Sequence, residues 1–316
     1  MTASTFCGLQ RALWMLLASL AAAVSTTGAI TETPVSTPAT GSVVIPFGYR
    51  RGHVTIPVAV FGTNRQSFIL DTGFSMTMLP PGLGETLMLR PAGHVTIVGI
   101  AGEEEASVFD GPRMDFGALS WTSRRVAAFP STAGSRGRHG EGILGSGFFR
   151  RFVVVIDSHA KTLVLHEPLS FQHLGTGEIL PLRFKRGSNT PIVAGLLRAS
   201  KDSEIPGEFE VDTGCDSSLC LGSDFSVKNH LISEDSRSSS RSGVGGRTRT
   251  RAGRLEALQL GRILIDHPSA EFFLEGSPAG NGMAGHIGLE AFRNFTVIFD
   301  YSRQRLILEE RTVNRP

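Results

Sequence analysis

Phe68-Ile69-Leu70-Asp71-Thr72-Gly73-Phe74-Ser75 and Phe209-Glu210-Val211-Asp212-Thr213-Gly214-Cys215-Asp216 are two versions of one stretch, and everything else in the chain is read from them. Each sets Asp-Thr-Gly at the end of a short apolar run. A single copy reads as an Asx-type turn at a strand end. Two copies in register mean something else, so the decisive question is whether their surroundings repeat with them.

They do. Asp71 matches Asp212 at an offset of 141, Gly102 matches Gly246 and Gly117 matches Gly261 at 144, and Gly142 matches Gly285 at 143. Residues 142–165 laid on 285–308 without gaps give nine identities: Gly142/Gly285, Gly145/Gly288, Phe149/Phe292, Arg150/Arg293, Phe152/Phe295, Val154/Val297, Asp157/Asp300, Leu163/Leu306 and Leu165/Leu308. A period this long is no solenoid. It predicts two equivalent lobes.

The rest of the pattern is β-like. Short apolar runs occur at Val43–Phe47, Val54–Phe61, Phe68–Leu70, His94–Val98, Met114–Phe116, Val126–Phe129 and Phe152–Ile156. Gly and Pro punctuate them, and Gly99-Ile100-Ala101-Gly102 is a hairpin signal. The expected fold class is all-β, two pseudo-twofold-related lobes with a cleft between them. The expected organisation is a signal peptide over 1–29, a flexible Thr/Pro-rich leader over 30–42, an N-terminal lobe over 43–166, a connection over 167–190, a C-terminal lobe over 191–310 and a tail over 311–316. Residues 131–142 read as a polar loop.

The signal peptide rests on Arg11, the apolar run Ala12–Val24 and the small residues after it, with cleavage near Ser25 or Ala29. That run is shorter than the about 20 residues a membrane span needs. The expected location is therefore secreted or periplasmic, with no stable membrane span once the signal is removed. A net charge of +2 argues against nucleic acid as a partner. Cleavage removes Cys7 and leaves Cys215 and Cys220, which either close a small disulfide or both stay free. The nine His show no His-Glu-x-x-His and no cysteine–histidine spacing for zinc, and the Gly-rich stretch 142–147 lacks the Lys and helix of a phosphate-binding loop. No cofactor is expected.

Asp71 and Asp212, each at a turn on a pseudo-twofold axis, would face one another. Carboxyls about 3 Å apart cannot both ionise, so the pair shares one proton. One can then act as general base on a water while the other, protonated, polarises a carbonyl. Gly73 and Gly214 allow the sharp turn, and the Thr72 and Thr213 hydroxyls can both donate and accept at its base. A glycosidase would need its carboxyls about 5 Å apart or more, which the shared turns disfavour.

At this point the chain resembles an aspartic peptidase of two-lobed, pepsin-like architecture, with lobe sequences similar to bacterial retropepsin-like proteins. The paired Asp-Thr-Gly stretches, Ile143-Leu144-Gly145 and His286-Ile287-Gly288, and Phe149-Arg150-Arg151-Phe152 with Phe292-Arg293-Asn294-Phe295 carry the resemblance over roughly 43–310. It implies an aspartic endopeptidase acting on a peptide or protein substrate. The dyad would be Asp71 and Asp212, and Thr72 and Thr213 would brace the lobe interface. Gly99, Ile100, Ala101 and Gly102 would form a flap over the substrate, with Val244-Gly245-Gly246 as its counterpart. Both halves lie in one chain, so a monomer is expected to suffice.

The chain departs from the family pattern in three places. Phe74 and Cys215 follow the glycines where a hydroxyl or small residue is usual, which is expected to raise the dyad's pKa values. No Tyr lies in the flap. His286 stands at an apolar position and reads as a core histidine with its ring satisfied. Residues 233–254, rich in Ser and Arg, read as a mobile solvated loop, or alternatively as a basic lip favouring acidic substrates. The other function class these departures keep open is a two-lobed peptide- or protein-binding module with weak or no catalysis.

Overall fold

A computed structural model describes residues 41–130, 140–184, 189–280 and 282–310. The expected signal peptide, most of the leader, residues 131–139 of the polar loop, residues 185–188 of the connection and the tail lie outside the described residues. Among the described residues no helix is long and apolar enough to cross a membrane.

The duplication is written in three sheets. Residue patterns dictate the strands: in His53–Val60, every second side chain (Val54, Ile56, Val58 and Val60) is buried, the period-two signature of a strand facing a core. The first ten-stranded sheet has the order Pro91–Gly99, Gly102–Asp110, Arg125–Ala128, Met78–Leu79, Gly142–Leu144, Gln66–Leu70, His53–Val60, Arg113–Phe116 and Leu119–Thr122, with Gly48–Arg50 added beside His53–Val60. The second runs Arg237–Gly243, Gly246–Arg254, Ser269–Phe273, Leu219–Leu221, Gly285–Ile287, Ile205–Val211, Pro191–Arg198, Ala257–Leu260 and Ile263–Asp266, with Arg183–Phe184 beside Pro191–Arg198. Strand for strand the two orders correspond.

The third sheet joins the halves. Its six strands run Ser42–Pro46, Thr162–His166, Val153–Asp157, Phe295–Asp300, Arg305–Glu310 and Glu178–Pro181. At its centre Val155 pairs with Ile298 across an antiparallel ladder. Those two residues are equivalents at the offset of 143, so the pseudo-twofold axis passes between them. The segment expected to connect the lobes contributes Glu178–Pro181 to this sheet and Arg183–Phe184 to the second lobe.

Residues 233–254 correct the sequence reading. Arg237–Gly243 and Gly246–Arg254 form a continuous antiparallel hairpin, and the second of these strands also pairs with Ser269–Phe273. Its Ser, Thr and Arg content reflects a ribbon with solvent on much of both faces, a setting in which strands lose the apolar alternation that identifies them. The hairpin of the first lobe, Pro91–Gly99 with Gly102–Asp110, is its equivalent. Each closes between two glycines, Gly99/Gly102 and Gly243/Gly246. Gly102 and Gly246 have φ of 139° and 128°, a region that disfavours any side chain.

Phe149, on the short helix Ser146–Arg151, crosses the boundary between the halves. It is fully buried and packs on Phe299 and Tyr301, with ring centroids 5.3 Å and 5.9 Å away. Phe149→Ala is expected to destabilise the protein by roughly 3–5 kcal/mol, read as a lowered midpoint in urea unfolding followed by circular dichroism.

Candidate active site

Each half builds its turn in the same way. Gln66–Leu70 delivers Asp71, and Gly142–Leu144 runs parallel beside it while also pairing with Met78–Leu79. Asp71 N–H donates to Leu144 O at 3.1 Å. In the second half Ile205–Val211 delivers Asp212 beside Gly285–Ile287, which also pairs with Leu219–Leu221, and Asp212 N–H donates to Ile287 O at 2.9 Å. The Ile-Leu-Gly and His-Ile-Gly stretches thus lie directly against the two Asp-Thr-Gly turns.

Thr72 and Thr213 lock the turns together. Thr72 N–H donates to Thr213 Oγ1 at 3.0 Å, and Thr213 N–H donates to Thr72 Oγ1 at 3.0 Å. The Thr72 hydroxyl donates to Val211 O at 2.6 Å and the Thr213 hydroxyl to Leu70 O at 2.8 Å. Both side chains are buried, so each bond is made where a lost partner could not be replaced by water. Gly73 and Gly214 are required by proximity. A Cβ on Gly73 would lie 2.7 Å from Asp212 Oδ1, and one on Gly214 would lie 2.5 Å from Asp71 Cγ.

The carboxyls face one another at the centre, each packed against the opposite turn's glycine. Gly73 N–H donates to Asp71 Oδ1 at 2.9 Å, and Gly214 N–H donates to Asp212 Oδ1 at 2.8 Å. Phe74 N–H adds a bond to Asp71 Oδ1 at 3.2 Å. The two titrate apart. Burial, then the charge and hydrogen bond of Asp212, push Asp71 well above the usual carboxylate range. Burial also works against the charged form of Asp212. It is outweighed by the charge and hydrogen bond of His286, helped by Gly214 N–H and Asp71, and Asp212 is held below the usual range. The rise at Asp71 thus comes from burial and its partner, and Asp212 is held down by a cation that the sequence reading had placed in the core.

That cation is the main residue the sequence reading missed. His286 Nδ1 lies 2.8 Å from Asp212 Oδ2. Nε2 lies 3.3 Å from Glu210 Oε2, at ion-pair distance but without hydrogen-bond alignment. Burial alone would drive His286 neutral; the charge and hydrogen bond of Asp212, with Glu210 adding to them, raise it well above an ordinary histidine. A signal was present in the duplication: Glu210 and His286 occupy the places of Ile69 and Ile143.

The residues after the glycines also find their reasons. Phe74 packs with Met76 against a buried apolar cluster of Met78, Ile97, Ala106, Ala127, Phe129, Ile143 and Val244, which includes the underside of the first hairpin. Cys215 and Cys220 are free thiols with their sulfurs 2.8 Å apart. Their hydrogen bond, then burial, pushes the Cys215 thiol well up, so it is no thiolate near neutrality. Arg241, three residues before the tip of the second hairpin, ties that hairpin to this region through Asp216 at 2.8 Å, Glu271 at 2.9 Å and Ser217.

The two hairpin tips touch each other. Ala101 N–H donates to Val244 O at 3.2 Å, and Gly245 N–H donates to Glu104 Oε1 at 2.9 Å. Gly99 leaves no room for a Cβ beside Val244. The structure thus brings Gly99, Ile100, Ala101 and Gly102 against Val244-Gly245-Gly246. Neither tyrosine is at a tip: Tyr49 lies on Gly48–Arg50, and Tyr301 is buried against Phe149 and Phe184. Among the described residues no group of three or more His, Cys, Asp and Glu side chains is arranged to hold a metal ion.

Comparison with known proteins bears on this geometry. Residues 56–148, in the first lobe, match the family model described as Aspartyl protease. Among solved structures, the aspartic proteinase from Irpex lacteus superposes with a TM-score of 0.56 at 13% identity, covering 86% of this chain and 98% of that one. No curated protein sequence matches the chain. Together the family match and the fold support an aspartic peptidase with a pepsin-like fold.

Thr72→Ala removes one buried donor and one buried acceptor and strands Val211 O and Thr213 N–H. It is expected to cost roughly 2–5 kcal/mol, with Thr72→Ser recovering most of the loss, as measured by urea unfolding of both variants.

Proposed function

We propose that the protein is an aspartic endopeptidase that hydrolyses peptide bonds with a water activated between Asp71 and Asp212. The observation that carries this reading is geometric: the crossed threonine bonds bring the two Asp-Thr-Gly carboxyls face to face, each against the opposite turn's glycine, with His286 Nδ1 2.8 Å from Asp212 alone of the two. In the proposed reaction Asp212 takes a proton from water as the water oxygen bonds to the scissile carbonyl carbon. Asp71 gives its proton to the carbonyl oxygen. As the C–N bond breaks, one hydroxyl of the tetrahedral intermediate returns its proton to Asp71 and becomes the carbonyl of the new acid, and the leaving nitrogen takes up the proton held by Asp212, which restores the starting state of the pair.

The touching hairpins fit a paired cover over an extended peptide, and they must part to admit one. The apolar cluster around Phe74, Met76 and Ile97 fits an apolar substrate side chain on the Asp71 side. Both Asp-Thr-Gly turns come from one chain, so the proposed enzyme works as a monomer, without a cofactor. Its expected signal segment would place it outside the cytoplasm.

The test is cleavage of a peptide library by the mature protein across acidic to neutral pH, with and without a statine-type inhibitor. Inhibitor-sensitive turnover is expected, and Asp71→Asn or Asp212→Asn should each lower it by at least roughly 100-fold while leaving the fold intact. Tight peptide binding without turnover would instead identify a binding module.

A further inference from the structure

We propose that His286, held against Glu210, is a positioning residue that fixes the negative charge of the carboxyl pair on Asp212 and so leaves the proton on Asp71. The proposal rests on the aspartic-peptidase reading above and adds to it a third ionisable partner.

The duplication supplies its own control. In the first lobe Ile69, Ile143, Met78 and Ala127 pair in register across four adjacent strands. The matching row in the second lobe is Glu210, His286, Cys220 and Glu271. One fold position after another changes from apolar to polar or ionisable, and only on the Asp212 side. Burying charge is costly unless it is paired, so a lone exchange at any of these positions would be destabilising. Taken together they pair. Glu271 meets Arg241, and it accepts from the Thr250 hydroxyl at 2.6 Å. His286 lies between Asp212 and Glu210.

The groups facing the imidazole are these two carboxylates and the Cys215 thiol, with Cys220 opposite on the neighbouring strand. The carboxyl of Asp71 lies beyond Asp212 and is reached by the same charge. Among the described residues, His286 is the cation that acts on both carboxyls. It contacts Asp212 directly and Asp71 only across space, so its charge breaks the symmetry that the twofold turns would otherwise impose. The pair therefore has one assigned base and one assigned acid before any substrate arrives.

The sign of the effect follows. Turnover needs Asp212 ionised, so activity is lost on the acid side as Asp212 takes up a proton. A neighbouring cation moves that loss to lower pH. Removing it moves the loss up, by about 1 to 3 pH units.

The experiment compares the mature full chain with His286→Gln and with the Glu210→Ile/His286→Ile double variant, which restores the first lobe's apolar row. Two readouts are taken: kcat/KM against pH, and the imidazole titration of His286 by NMR, its signal identified by its loss in His286→Gln. The proposal expects the acid-side midpoint to rise in both variants. It also expects His286 to titrate above an ordinary histidine and to fall when Asp212→Asn is introduced. A uniform loss of activity with an unshifted acid side would overturn it, reducing His286 to a packing role. A histidine that titrates normally and ignores Asp212→Asn would overturn it equally. If the parent chain turns over no peptide, the function reading fails, while the NMR titration still decides whether His286 holds the charge on Asp212. Should His286→Gln not fold, the double variant, with no buried charge at either position, carries the activity arm.

Discussion

The structure depends on the crossed bonds of Thr72 and Thr213. Each hydroxyl accepts from the opposite threonine's N–H and donates to a carbonyl one residue before the opposite Asp. A site that works by two facing carboxyls requires their spacing to be fixed to a fraction of an ångström. The two turns belong to halves separated by 141 residues. Four buried hydrogen bonds beneath the carboxyls hold them at the spacing at which they must share a proton. The glycines complete the constraint, because each lies so close to the opposite carboxyl that any side chain would displace it.

Around that centre the duplication sets what is shared, and departures from it set what is special. The six-stranded sheet pairs Val155 with its own equivalent, Ile298, and so fixes the axis on which the turns meet. The paired hairpins obey the same axis at the other end. Against this symmetry the row beneath each aspartate differs. Apolar packing lies on the Asp71 side, and an ionisable network lies on the Asp212 side. A symmetric pair has no preferred site for its single proton; the asymmetric row supplies one.

Much of this was legible in the sequence. Two Asp-Thr-Gly stretches with offsets that stay within three residues specify two lobes and a facing pair. The run of identities from Gly142/Gly285 to Leu165/Leu308 marks the very segments that build the inner strand pairs and the shared sheet. Other features were hidden for physical reasons. The second hairpin lacks apolar alternation because much of both its faces is solvated, so Arg237–Gly243 and Gly246–Arg254 read as loop. Leu119–Thr122 is too short to carry a period. His286 looked like a core residue because a single histidine on an apolar strand usually is one. Only pairing it with Glu210, 76 positions away and adjacent through Gly285–Ile287 and Ile205–Val211, shows that two apolar positions had changed together.

The central claim is that Asp71 and Asp212 hold one proton between them and that it resides on Asp71. Infrared difference spectroscopy of the carboxyl stretch at neutral pH tests it most directly. The account predicts one buried protonated carboxyl in the parent chain and none in Asp71→Asn, where Asp212 stays ionised beside His286. A parent chain without that signal, or a signal that survives in Asp71→Asn, would contradict it.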